Sequence, residues 1–197
     1  MKPETASDAE LVARSLAGDQ EAFRLLVVRF ERPVLSVVSR LIRDPASAED
    51  VTQEAFVKVY RHLHRYDPRW RLASWLFKIA HNTAIDHLRR RHPETVPLEL
   101  PDAEGEGSWE RFHAPEEEGP EEQAASAELG AAVEQALGDL RGQYREILEL
   151  RFKQGLSYEE IAEVLGLALG TVKVQIHRAR KQLADRLRAR GFHPPEG

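Results

Sequence analysis

Seven residues within one short stretch, Thr171, Lys173, Val174, Gln175, His177, Arg178 and Lys181, are of the types that recognise duplex DNA. Lysine and arginine neutralise phosphates, glutamine presents a paired donor and acceptor to adenine, and valine packs on a thymine methyl. At about 100° per residue, Thr171, Val174, His177, Arg178 and Lys181 fall on one side of a helix, flanked by Lys173 and Gln175. On the other side Val172, Ile176, Ala179 and Leu183 form an apolar stripe that must dock on a core. From 171 to 190 the charged residues are Lys173, Arg178, Arg180, Lys181, Arg186, Arg188 and Arg190 against Asp185 alone. A merely solvated amphipathic helix would carry such charges too, so the case for DNA rests on what precedes this helix.

A second group suits a different form of nucleic acid. Residues 61 to 92 hold Arg61, Arg65, Arg69, Arg71, Lys78, Arg89, Arg90 and Arg91 against Asp67 and Asp86, interleaved with Tyr66, Trp70 and Trp75. Cations that track phosphate beside rings that stack on bases fit a single strand. Lys78, Asn82, Asp86 and Arg89 share a polar helix face, where Asn and Asp can bond base edges. The plainer alternative is that Trp75 is core and the arginines solvate a helix end; Trp70, in the turn Asp67-Pro68-Arg69, is the better candidate for an exposed ring.

These residues need helices to position them. Ser157 as N-cap, Glu160 as its capping-box partner and Leu156 stapled to Ile161 start one helix; Ile161, Ala162 and Leu165 form its predicted buried stripe, and Gly166 turns the chain. With Gly170 opening the basic helix, this is the layout of a helix-turn-helix. Upstream, Ser7 and Glu10 predict a capping box. Asp19 caps a helix carrying Phe23, Leu26, Val27 and Phe30, and Val34, Val37, Val38 and Leu41 repeat the spacing. Asp44-Pro45 begins a helix that buries Ala48, Val51, Ala55 and Val59 and points Glu49, Asp50, Gln53 and Glu54 outward. Leu72 to Arg91 is another, and Val133 to Leu140 and Tyr144 to Leu148 give two more. No segment alternates with period two, so the expected fold is all-α.

The net charge of −5 averages over unlike segments. Residues 1–92 carry 16 Lys/Arg and 12 Asp/Glu, residues 93–128 one Arg and 12 acids, and residues 129–197 11 basic and 9 acidic residues. The division is therefore a basic domain over 1–92, an acidic linker rich in Pro, Gly and Glu over 93–128, a basic domain over 129–191 and a tail over 192–197. Trp109 and Phe112 in the linker read either as a short docking element or as a chance pair.

Cysteine is absent, which excludes disulfides and thiolate zinc sites and fits a reducing cytoplasm. No apolar run has the length of a membrane span, and the start MKPETASDAEL is not a signal sequence, so a cytoplasmic, uninserted protein is expected. His62 and His64 diverge on a helix, and His81, His87 and His92 lack metal-ligand spacing; neither a nucleophile–base pair nor a glycine-rich phosphate loop is visible, so no enzyme, metal or cofactor is expected.

The strings AEDVTQEAFVKVYRHLHRY, WLFKIAHNTAIDHLRRR, LSYEEIAEVLG and GTVKVQIHRARKQL, in this order around an acidic linker, resemble a bacterial sigma factor of the extracytoplasmic-function (ECF) group. The resemblance spans both domains. It implies a factor that is monomeric when free and has core RNA polymerase, promoter DNA and an anti-sigma factor as partners. By similarity Glu49, Asp50, Gln53, Glu54 and Val57 would dock on the polymerase clamp helices. Tyr66, Arg69, Trp70, Arg71, Lys78, Asn82, Asp86, Arg89 and Arg90 would open and hold the −10 non-template strand, with one base flipped into a pocket. The helix from Gly170 would read the −35 duplex through Thr171, Lys173, Val174, Gln175, His177, Arg178 and Lys181, and the acidic linker would thread the RNA-exit path. Many relatives carry Ser-Arg in place of Val174-Gln175 and a serine-rich stretch near Asp67–Arg71; the first departure predicts an altered −35 preference, with Gln175 reading one base. The alternative is a helix-turn-helix regulator that binds duplex operators without polymerase.

Overall fold

The computed structural model describes residues 6–91 and 120–192, with side chains described from residue 128 onward in the second segment. Among the described residues every regular element is helical. The first domain comprises α1 (Asp8–Leu16), α2 (Gln20–Leu41), α3 (Pro45–His62), a 3₁₀ turn (Leu63–Arg65) and α4 (Leu72–Arg91). The second comprises α5 (Pro120–Gly138), α6 (Gly142–Leu148), a π-helical turn (Glu149–Lys153), α7 (Tyr158–Leu165) and α8 (Leu169–Arg188).

The helix starts obey the local chemistry of their sequences. Ser7 Oγ accepts from the Glu10 N–H at 3.2 Å, and Asp19 accepts from Glu21 and Ala22 at 3.0 and 3.1 Å, satisfying donors that have no partner within the helix. Asp44 caps α3 with Pro45 in its first turn, where the missing N–H costs nothing. Pro33 lies inside α2, and the helix continues through it to Leu41.

In the first domain α2, α3 and α4 pack on one another and α1 covers α2. Leu11, Leu26, Val34, Val37, Val51, Val59, Leu76, Phe77 and Ala80 are buried there. In the second, Ala136, Leu140, Ile147, Leu150, Leu156, Ile161, Val172 and Ile176 are buried among α5 to α8. Helix α5 already runs from Pro120, within the stretch that composition assigns to the linker. The rest of that stretch, including Trp109 and Phe112, lies outside the described residues.

Composition suggests two modules on a tether; the structure packs them directly together. The end of α2 meets α6 and the π turn, and α4 meets α7. Gly142, the first residue of α6, stands so close to α2 that a Cβ there would lie 3.4 Å from the Arg40 carbonyl oxygen.

Candidate nucleic-acid and polymerase interfaces

The helix-turn-helix is built as its sequence demands. Ser157 Oγ accepts from the Glu160 N–H at 3.1 Å while the Glu160 carboxylate accepts from the Ser157 N–H at 2.8 Å, a complete capping box. Gly166 adopts the left-handed conformation at φ 66°, which lets the chain leave α7 without a Cβ penalty. The buried positions of α7 are Ile161 and Val164; Leu165, expected in that stripe, is only partly buried. Helix α8 begins at Leu169, one residue before Gly170, and docks through Val172, Ile176 and Ala179.

On the open side of α8, Lys173 and Lys181 are exposed, and Thr171, Val174, His177 and Arg178 are partly exposed. Gln175 departs from expectation. It is 6 % exposed, because it sits beside the Val172–Ala179 stripe and is drawn into the packing of α8. Sequence reasoning also missed the ring of Phe152, which lies 5.6 Å beneath the Arg180 guanidinium.

In the first domain the turn between the 3₁₀ segment and α4 is held by its own side chains. The Tyr66 hydroxyl donates to the Trp70 carbonyl at 2.6 Å, and Arg69 grips Asp67 with contacts at 2.6 to 3.1 Å. That pairing holds the Asp67 carboxyl below the usual range. Tyr66 also packs against Trp75, ring centres 5.5 Å apart, which makes Trp75 part of the core margin. Trp70 is left 54 % exposed, a large ring turned to solvent. Asn82, Asp86, Arg89 and Arg90 are exposed along α4, and Lys78 is partly covered. Arg71 and Lys78 lean toward the second domain, pairing with Glu160 at 3.5 Å and Glu163 at 3.2 Å.

The third group lies on α3. Glu49, Asp50 and Gln53 are exposed, and Val57 is exposed beside them. Glu54 is bridged to Lys58 at 3.0 Å and Arg90 at 3.3 Å, and the Lys58 hydrogen bond keeps its carboxyl ionised below the ordinary range. Val57 and Tyr60 also border a shallow apolar groove with Phe23 and Phe56. Among the described residues no cluster of three or more His, Cys, Asp or Glu could hold a metal, and no helix is long and apolar enough to cross a membrane.

Two basic helical domains, one with a capped helix-turn-helix and one with a solvent-facing tryptophan beside a polar helix face, define a two-module DNA-binding factor. Its family follows from comparison: residues 26–93 match the model of Sigma-70 region 2, and residues 130–183 match that of Sigma-70, region 4. The chain is 39 % identical to the RNA polymerase sigma-H factor of Pseudomonas aeruginosa over 89 % of this chain and 91 % of that one. It is 37 % identical to the ECF sigma-E factor of Escherichia coli, covering 93 % and 96 % of the two chains. Among solved structures, CnrH in complex with the cytosolic domain of CnrY aligns with a TM-score of 0.59 at 27 % identity, over 91 % of this chain and 96 % of that one. The Bartonella quintana sigma factor RpoE, in complex with the anti-sigma factor NepR, has the same fold at a TM-score of 0.61 and 24 % identity, over 84 % and 96 %. The chain belongs to the sigma-70 family, in its ECF group, and is a sigma factor that directs promoter-specific transcription.

Proposed function

We propose that the work of initiation is divided among the three surfaces. The α3 face of Glu49, Asp50, Gln53, Glu54 and Val57 docks on the clamp helices of core RNA polymerase. Trp70 and the α4 face from Lys78 to Arg90 hold the −10 non-template strand. Unstacking a base costs a few kcal/mol, so contacts in that pocket and the polymerase must offset it. Helix α8 lies in the major groove at −35, with Val174 toward base edges and Lys173, Arg178 and Lys181 toward phosphate. The chain acts by binding rather than by catalysis, in the cytoplasm, and an anti-sigma factor, as borne by the Bartonella protein, completes its partners.

The observation that supports this reading most directly is the pairing, on one chain, of a duplex-reading helix with an exposed ring that a duplex repressor would not need. The test is transcription in vitro with core polymerase and a fragmented genomic library, followed by sequencing of the new 5′ ends. Starts that share two upstream elements at fixed spacing are expected. Tight duplex binding without polymerase, and no new starts, would favour the operator-binding regulator.

A further inference from the structure

The turn that presents Trp70 is built to hold one residue still. Its support is buried: Leu63 is 3 % exposed, and the Tyr66 N–H donates to the Leu63 carbonyl at 3.1 Å, closing the 3₁₀ segment. Further along, the Trp70 N–H donates to the Asp67 carbonyl at 3.1 Å, and the Tyr66 hydroxyl donates to the Trp70 carbonyl at 2.6 Å. Both main-chain polar groups of Trp70 are thus engaged inside the turn while its indole stays exposed. The Arg69 N–H donates to the Asp67 carboxylate at 3.0 Å, and the Arg69 guanidinium grips that same carboxylate. Tyr66 and Arg69, both expected to touch the strand, are committed to the turn instead.

The surroundings of Tyr66 suit its hydroxyl to this task. Its ring lies against Trp75, ring centres 5.5 Å apart, so the hydroxyl sits at the end of a packed lever. Burial, with the charges of Asp8 and Asp67, raises its pKa, and the group stays a neutral donor. Arg29 pairs with the Asp8 carboxylate at 2.5 Å, which leaves the Trp70 carbonyl as the acceptor the hydroxyl takes. A phenylalanine would fill the same space without this bond, so the hydroxyl can be separated from the packing. The consequence is entropic. A loose turn would lose backbone and side-chain freedom when a base stacked on its ring, whereas a turn already fixed loses little.

We propose that Tyr66 is a positioning residue for strand binding: its hydroxyl fixes the Trp70 main chain before DNA arrives, so that the indole is a preformed stacking platform for an unpaired base. This rests on the strand-holding role of Trp70. Stacking on an aromatic ring supplies the affinity. Tyr66 touches no base and acts through Trp70, so its hydroxyl matters only while the indole is there.

Tyr66→Phe removes the hydroxyl and keeps the ring against Trp75. The probe is a fluorescein-labelled single strand carrying the −10 sequence of a promoter mapped from its 5′ end, titrated with holoenzyme. Tyr66→Phe should weaken its binding about fivefold, the cost of immobilising one side chain on association. Trp70→Ala should weaken it further, and in the Trp70→Ala background Tyr66→Phe should cost nothing more. That lack of additivity separates positioning from a merely structural role, whose loss would be felt in both backgrounds. In the full free chain, hydrogen exchange at the Trp70 amide, followed by NMR, should quicken about fivefold in Tyr66→Phe as the turn opens more often. Positioning is overturned if Trp70→Ala weakens strand binding while Tyr66→Phe does not, or if Tyr66→Phe costs the same with and without the indole. It is also overturned if the Trp70 amide exchanges no faster. If Trp70→Ala leaves strand binding and initiation intact, the strand-holding reading of Trp70 fails, and the proposal with it.

Discussion

Lys173 and Lys181 are the exposed cations among the α8 residues proposed to read −35, and their contribution to −35 binding should be electrostatic. Lys181→Ala should weaken holoenzyme binding to all −35 sequences alike and reduce the slope of log K against log salt by about 1, measured by titration at several salt concentrations. Gln175 belongs to a different category because it is buried. Gln175→Ala should leave base preference unchanged and destabilise the domain by about 1 kcal/mol, seen as a lower melting temperature with an unaltered −35 selection profile. A shift in preference at one base would instead return Gln175 to the reading face. His81 gives the contact between the domains a pH response. Burial disfavours its charged ring, yet the charge and hydrogen bond of Glu146 on α6 outweigh that and the repulsion of Arg89 on α4, so its pKa is raised. A raised histidine pKa stabilises the folded chain fully below the unfolded imidazole range, and the contribution is lost as pH rises through the folded pKa. The melting temperature should therefore fall from pH 6 toward 8.5, and His81→Phe should flatten that decline.

At the scale of elements, the helix-turn-helix depends on its cap. Ser157→Ala removes the acceptor for the Glu160 N–H and should cost about 1 kcal/mol, or roughly 2–4 °C in a chain of this size, with −35 binding weakened in parallel; differential scanning calorimetry checks the first and footprinting the second. Elements were well marked in the sequence wherever chemistry is local. The caps at Ser7, Asp19, Asp44 and Ser157 and the span Leu72–Arg91 stand where periodicity and N-cap preference place them. What periodicity left open was which flank of a stripe is covered: Val164 is buried where Leu165 was expected, and Gln175 is covered by neighbours no local rule specifies. The π turn at Glu149–Lys153 has no local signature either, since its widened turn is tied to partners more than a hundred residues away, Ser36 and Arg40.

At the scale of the molecule, the contact between the domains is made in part by pairs of opposite charge. Opposite net charge in the linker and the domains was plain in the sequence, but the pairing of Arg40, Lys78 and His81 with Glu149, Glu163 and Glu146 was not, because only the fold brings those residues together. Glu160 stands apart from the other carboxylates of this interface: the same side chain caps α7 and receives the Ser74 hydroxyl. A genetic selection for chains that retain promoter choice should thus return lesions at 146, 149 and 163 more freely than at 160, since an allele that loosens the interface there also damages the helix-turn-helix on which promoter choice depends.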